Sequence, residues 1–417
     1  MNIYIEVIGC TANHSDASIA RHQIEQHPSF FIVDKIDDAD IILLFTCTVI
    51  SATEQRMFSK IEQYVKQQKK IIVTGCMASV QSEQIKKINE NIICIPPSKI
   101  HLLLSYLDNS AETSDQFKKY QSKKRHSSIF APISISEGCD FSCAYCITTL
   151  ARGKLTSYPK TVIRANIEDA IMQGCKEIQL TAQDTASYGR DTHSNLAELL
   201  TYISDVSGWY RFRIGMMNPA TLLPQIDQMI AAFNNPHFYK FLHIPIQSGD
   251  DLLLSLMGRK YSIKNVYTII NCFRKQFPDI TIATDVIVGF PSEDEEQYLN
   301  TIRFLEKIKP DIVNITKFSA RPLTKAKTMK QRIPTEIVKS RSKDLTILAS
   351  SISYEKNRHH IGKRYTILIT EKGKKQSMIG RNNQYKPVVI TEPVFIGDVV
   401  DVEIIDAKQT HLFGILK

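Results

Sequence analysis

Three short apolar runs lie within the first eighty residues, IYIEVIGC, DIILLFTC and KIIVTGC, and each ends on a cysteine followed by residues spaced in helical period. After the second run, Ser51 to Glu54 (SATE) has the form of a capping box opening a helix through RMFSKIEQYVKQQ. Strand then helix, three times over, predicts a parallel sheet whose strands deliver their carboxyl ends to one edge, where ligands bind. Cys10, Cys47 and Cys76 should converge there, with Gly9 and Gly75 allowing close backbone approach. From about 131 to 320 the succession of strand, polar loop and helix recurs six times, with strands predicted at 133–139, 177–184, 211–219, 240–249, 280–290 and 312–319. Six such units predict a partial, open (β/α)6 barrel. Beyond 358 the alternating runs RYTILIT, KPVVIT, DVVDVEII and HLFGIL, parted by turn residues, predict a small antiparallel β-barrel. The fold class is therefore α/β. A Rossmann-like three-layer domain is expected over 1–110 and a basic linker over 111–130. The central barrel with a basic helical extension would cover 131–356, and the small β-barrel 357–417.

Composition narrows the class. The chain has 417 residues, enough for about two or three domains, and 43% apolar with 23% charged residues excludes a disordered or collagenous chain. No basic stretch precedes an apolar core at the N-terminus and no apolar run approaches ~18 residues, so neither a signal peptide nor a membrane span is expected. Nine cysteines without an export signal read as free thiols in a reducing, cytoplasmic setting, and metal or redox chemistry becomes their leading use. The net charge of +9 is unevenly spread: residues 317–417 carry +11 and residues 1–316 carry −2. Lys317 to Lys343 alone hold nine basic residues and one acid, a pattern fit for a solvated helix face or for a polyanion.

The candidate chemistry sits on two cysteine groups. Beside the strand-end trio, Cys139, Cys143 and Cys146 stand in CxxxCxxC on a loop after a β-like run. Three thiolates on one tight loop can hold three corners of a [4Fe–4S] cube and leave the fourth iron open to a substrate. A structural zinc site is the competing reading and would need a fourth ligand such as His126. Cys94, Cys175 and Cys272 lack such a pattern and are expected to be packing residues, as are Met216 and Met217. The barrel strands end in Gln183-Asp184-Thr185, Asn218-Pro219 and Gln247-Ser248-Gly249, while His243 would line the barrel mouth or be a satisfied core histidine. Ser292 to Glu295 reads as a capping box. Near the C-terminus, Arg381 to Lys386 (RNNQYK) mixes basic, amide and aromatic groups suited to phosphates and stacked bases.

These residues resemble a known family. CxxxCxxC at 139–146 resembles the radical S-adenosylmethionine (SAM) signature. Together with IGCTANHSD, FTCTVISATEQRM and VTGCMAS it makes the chain similar to the radical SAM methylthiotransferases along nearly its full length. TAQDTASYGRD, RIGMMNP, HIPIQSGDD, MGRKYS, TDVIVGFPSEDE and KFSARPLTKAKTM most resemble the archaeal and eukaryotic branch acting on threonylcarbamoyladenosine in tRNA. The resemblance implies an N-terminal domain with one [4Fe–4S] cluster on Cys10, Cys47 and Cys76, and a radical SAM barrel with a second on Cys139, Cys143 and Cys146. It also implies a C-terminal TRAM domain that binds RNA. The implied reaction converts the nucleoside 3′-adjacent to the anticodon into its 2-methylthio derivative. Tyr145, Gln183, Asp184, Asn218 and Gln247 are then candidates for binding SAM, and Lys317, Arg321, Lys325, Arg332, Arg341, Arg381 and Lys386 for binding RNA with salt-sensitive affinity. The implied partners are the tRNA anticodon stem-loop, a flavodoxin- or ferredoxin-type electron donor and a sulfur source, with the chain acting as a monomer away from membranes. One departure is Thr46, where the family usually has Asn before the middle cysteine. Isopentenyladenosine in tRNA or an aspartate of a ribosomal protein would be alternative substrates of related branches, and a non-catalytic zinc RNA-binding protein is the alternative outside the enzyme class.

Overall fold

A computed structural model describes residues 1–49, 51–108, 119, 123–124 and 129–417. Most of the expected linker over 111–130, with His126, lies outside the described residues. The chain divides into two compact units, Met1–Gln183 with Arg321–Thr324, and Asp184–Ala320 with Lys325–Lys417.

The first unit opens with β1 (Asn2–Val7), α1 (Thr11–Gln26), β2 (Phe31–Val33), β3 (Ile41–Thr46), α2 (Ser51–Lys66), β4 (Lys70–Gly75) and β5 (Ile93–Ile95). The strands form one all-parallel sheet in the order β2-β1-β3-β4-β5. The apolar runs foretold β1, β3 and β4. The edge strands β2 and β5, three residues each, are too short to show a pattern. Every residue of β3 is buried, as an inner strand covered on both faces requires. Its alternation sorts the core into two layers: Ile41, Leu43 and Phe45 pack with Ala17, Ile19, Ala20 and Ile24 of α1, whereas Ile42 and Leu44 pack with Met57, Ile61 and Tyr64 of α2. The side chain of Ser51, where the capping box is expected, lies outside the described residues; Glu54 accepts from the Gln81 amide and pairs with Arg321.

Further along come β6 (Phe130–Ser134), β7 (Ser136–Glu137), β8 (Thr156–Ser157) and β9 (Glu177–Thr181), with β6 parallel to β9 and β7 antiparallel to β8. The second unit continues with β10 (Arg211–Ile214), β11 (Phe241–His243), β12 (Thr281–Val288) and β13 (Ile312–Lys317), of which β11, β12 and β13 form a parallel sheet. All six predicted strands of this stretch are present; the first starts earlier, at Phe130, and breaks into β6 and β7, while the other five end sooner than expected. Before the helix Glu295–Ile308, the capping box falls two residues later than expected, on Asp294 and Gln297. Ser292 cannot start that helix because it turns through φ 71° and gives its hydroxyl to Gln331, whereas an N-cap residue is extended.

The helix Thr335–Arg358 buries Arg341, Leu345, Ala349 and Ile352 on one face and leads into β14 (Arg364–Lys372), β15 (Met378–Arg381), β16 (Pro387–Ile390), β17 (Val399–Ala407) and β18 (Leu412–Leu416). These five close into a barrel, β14-β15-β16-β18-β17. It is antiparallel as expected except for one parallel pair, β16 with β18, because an odd number of strands cannot alternate in direction around a closed ring. At the junction, His360 is buried with its Nδ1 2.6 Å from the Tyr365 hydroxyl. Burial first, then Lys386 and Lys363, lower its pKa from 6.5 to about 4. The unfolded chain binds this proton near 6.5 and the folded chain does not, so the stabilisation is present above 6.5 and is lost as pH falls towards 4. Thermal unfolding between pH 7 and pH 4 is expected to show this loss, and His360→Gln should flatten the curve in that window.

Candidate active site

All six cysteines of the two groups belong to the first unit. Cys10, Cys47 and Cys76 follow β1, β3 and β4 at the carboxyl edge of the parallel sheet. Gly75, at φ 91°, is needed because a Cβ there would lie 2.3 Å from the Thr46 carbonyl oxygen, across the β3–β4 register. At Gly9 a Cβ would strike the Asn13 amide at 1.9 Å. Asn13 is buried and donates to the Thr46 carbonyl at 3.0 Å, while the Thr46 hydroxyl donates to the Thr74 carbonyl at 2.6 Å. Thr46 therefore ties β3 to β4 beside Cys47 and Cys76. Burial pushes the Cys76 thiol up to about 11; Arg152 opposes that rise, and Cys10 and Cys47 add to it. Among the described residues no group of three or more His, Cys, Asp or Glu side chains is placed so that it could hold a single metal ion.

The CxxxCxxC loop is tied at both ends. β7 and β8 pair at its base, the Gly138 amide donates to Gln183 Oε1 at 2.7 Å, and the Cys139 amide donates to the Gly153 carbonyl at 3.1 Å. Gly138 has φ 80° and passes so close to Lys154 that a Cβ would come within 1.9 Å of its carbonyl oxygen. Within the loop the Cys146 amide donates to the Cys143 carbonyl, and the Thr148 amide donates to Cys146 Sγ at 3.4 Å. An N–H directed at the sulfur suits a thiolate ligand and tunes a cluster held by it. The donor chemistry of both trios fits iron–sulfur clusters. Cys175 is buried, and Cys94 and Cys272 are half-buried.

The side chains expected around SAM separate. Tyr145 is half-buried on the cysteine loop. Gln183 acts through Gly138. Asp184 is buried, and its carboxylate accepts from the amides of Asn218 and Ala186 and from the hydroxyls of Ser187 and Thr221. Burial raises its pKa, and these donors oppose the rise. The Asn218 Oδ1 caps the following turn at Ala220. Gln247 is buried, and its left-handed backbone, φ 67°, bonds to both Asp285 and Ile287 of β12. His243 is satisfied: it donates from Nε2 to Asp285 at 2.9 Å, while Asn314 donates to the other oxygen at 2.9 Å. Burial disfavours the Asp285 charge, but His243 and Asn314 outweigh it and hold the pKa below the usual carboxylate value. Met217 is buried and Met216 is partly exposed.

Three of the seven basic residues expected at RNA are buried in ion pairs. Arg321 is buried against Glu54 and the Thr48 carbonyl, Arg341 pairs with Glu293 and Glu295 at 2.9 and 2.8 Å, and Lys386 pairs with Asp311 at 2.8 Å. Each faces a carboxylate far away in sequence, so its charge is used inside the protein. Arg381 is half-buried, pairs with Glu371 and lies over the Tyr385 ring. Lys317, Lys325 and Arg332 are exposed.

What the sequence reading missed is a buried charge network in the first unit. Arg152 reaches Glu137 at 2.9 Å, Asp16 at 2.8 Å and Asn13 Oδ1 at 2.9 Å, and Lys119 reaches Asp16 at 3.1 Å and both Glu137 oxygens at 2.8 Å. No periodicity marks these positions. The one signal was an Arg-Gly pair at 152–153 closing the cysteine loop.

Comparison with known proteins places this geometry. Residues 2–95 match an uncharacterised protein family (UPF0004), 133–305 the radical SAM superfamily and 358–417 the TRAM domain. A protein of Methanothermobacter thermautotrophicus named probable threonylcarbamoyladenosine tRNA methylthiotransferase is 36% identical over 425 residues, covering 99% of each chain. The chain belongs to the threonylcarbamoyladenosine tRNA methylthiotransferase family. It is thus a radical SAM enzyme, and the superfamily match supports an iron–sulfur cluster with SAM as cofactors. The human threonylcarbamoyladenosine tRNA methylthiotransferase is 32% identical over 99% of this chain and 73% of its own. Among solved structures, the radical SAM methyltransferase TsrM of Kitasatospora setae, with cobalamin and a [4Fe–4S] cluster bound, is similar at TM-score 0.51 and 11% identity. That likeness covers 78% of this chain and 76% of TsrM, and it concerns the fold alone. No helix among the described residues is long and apolar enough to cross a membrane.

Proposed function

We propose that this protein methylthiolates N6-threonylcarbamoyladenosine at the position 3′-adjacent to the anticodon of tRNA, giving the 2-methylthio derivative, with two [4Fe–4S] clusters and SAM. The observation that carries this reading is the pair of cysteine trios within one unit of a chain similar to its family relatives from end to end. The target is an unactivated C–H bond on a purine, which no side-chain acid or base can functionalise; the bound cofactors supply the radical chemistry. Cys139, Cys143 and Cys146 would hold three corners of one cluster and leave its fourth iron for the amino acid end of SAM. Gln183 keeps that loop in place through Gly138. Cys10, Cys47 and Cys76 would hold the sulfur-delivering cluster, with Thr46 and Asn13 fixing the strand ends that carry them. Tyr145, Asn218 and Gln247 remain the side chains proposed to orient SAM. Lys317, Lys325, Arg332 and Arg381 are proposed to meet the tRNA backbone, an electron donor and a sulfur source completing the system.

Nucleoside mass spectrometry of tRNA from cells lacking this gene tests the reading. Loss of the 2-methylthio-threonylcarbamoyladenosine peak, with the threonylcarbamoyladenosine precursor accumulating, is expected. An unchanged peak, or loss of a methylthio derivative of isopentenyladenosine instead, would overturn it.

A further inference from the structure

The charge network of the first unit does more than hold a core together. Arg152 stands six residues after Cys146, at the end of the helix Thr148–Arg152 that follows the cysteine loop. Its guanidinium forks across to α1, with one nitrogen 2.9 Å from Asn13 Oδ1 and 2.8 Å from Asp16, three and six residues beyond Cys10. Asn13 passes the contact on, donating to the carbonyl of Thr46 immediately before Cys47. The other terminal nitrogen meets Glu137, two residues before Cys139. One side chain thus contacts the segments that carry both trios, and it is 8% exposed.

Among the described residues the charges of this network do not cancel. Three buried cations, Arg152, Lys119 and Lys124, face two buried carboxylates, Asp16 and Glu137, with Lys124 directed at Ser15 Oγ, 3.2 Å away. An uncompensated buried cation is costly unless an anion shares its surroundings. A cubane on three thiolates is anionic overall and becomes more so on reduction. A fixed positive charge nearby favours that reduction, all the more in a low-dielectric interior.

We propose that Arg152 is a positioning residue common to both cysteine groups: it locks the segment of Cys10 and Cys47 against the loop of Cys139, Cys143 and Cys146, and it sets the reduction potential of the strand-end cluster. The proposal rests on the two-cluster reading. Its test uses the full-length chain with Cys139, Cys143 and Cys146 all replaced by Ala, reconstituted anaerobically, so that only the strand-end cluster forms. The midpoint potential of that cluster is read by EPR-monitored titration, with iron content and thermal unfolding measured alongside.

Adding Arg152→Met is expected to shift the midpoint to more negative values, and Arg152→Lys, which keeps the charge, to leave it near the parent value. Asp16→Asn keeps the guanidinium, removes the opposing charge paired with it and should shift the midpoint the other way. It carries the test should Arg152→Met fail to fold. A role in packing alone would move the unfolding temperature and not this ordered series of potentials. An Arg152→Met midpoint equal to the parent's, or shifts of the same sign in Arg152→Met and Asp16→Asn, would overturn the proposal. A folded parent that binds no iron would refute the two-cluster reading itself, and the proposal with it.

Discussion

Replacing Cys143 by alanine is expected to abolish reductive cleavage of SAM while the protein keeps about half its iron, falling from about eight atoms per chain to about four. Cys143 is the middle thiol of a loop tied at Gly138, Cys139 and Cys146 by backbone bonds, none of which uses its side chain. The loop should therefore keep its course and lose one corner of its cluster. The strand-end trio is built on separate elements, β1, β3 and β4 with their tight glycines, and should still take up iron. Anaerobic incubation with dithionite and SAM, followed by chromatography for 5′-deoxyadenosine, reads the loss. Cys47→Ala is the counterpart: it should leave cleavage in place and remove the methylthio product. Cleavage by Cys143→Ala would sink the assignment of the loop, and product from Cys47→Ala would sink the sulfur role of the sheet edge.

Lys386→Met is expected to destabilise the second unit by about 3–5 kcal/mol, the scale for leaving one partner of a buried ion pair uncompensated. Lys386 Nζ lies 2.8 Å from Asp311 and 2.9 Å from Asn357 Oδ1, and its side chain is 6% exposed. The second Asp311 oxygen accepts from the Ile282 amide at 3.0 Å, so the carboxylate is fixed and cannot swing out to water. A methionine there strands that charge between the small barrel, β12 and the long helix. The thermal midpoint should drop by an amount on the order of 10 °C. Asp311→Asn in the same chain should recover part of the loss, because the stranded charge goes with it. Affinity for tRNA, measured below the new midpoint, should stay close to the parent's, since the amine does not face solvent. A marked loss of affinity with an unchanged midpoint would return Lys386 to the RNA surface.

Much of the architecture was legible because strand and helix signals are local. The runs ending on Cys10, Cys47 and Cys76 placed three inner strands of one sheet and their common edge. The six strand, loop and helix units were each found where the period indicated. Short edges escaped: β2 and β5 have three residues apiece, fewer than an alternation needs. The parallel closure of the last barrel was hidden too, since periodicity shows that a strand exists but not which neighbour it pairs with.

The polar residues divide along the same line. Cysteine spacing points to a chemistry in the sequence itself, because three thiols on one short loop have few other uses. The basic residues did not, since a cation looks the same in sequence whether it meets phosphate or a buried carboxylate. Arg321 pairs with Glu54, 267 residues away, and Lys386 with Asp311, 75 residues away. Asp184, expected to face a ligand, is enclosed by four donors from its own loop and from residues 218–221. Sequence by itself determined the elements, their order and the two sets of thiols, all of which depend on neighbours within one helical turn or one strand. Only the tertiary structure decided which charges are spent inside the protein, Arg152 among them, because burial and pairing arise where distant segments meet.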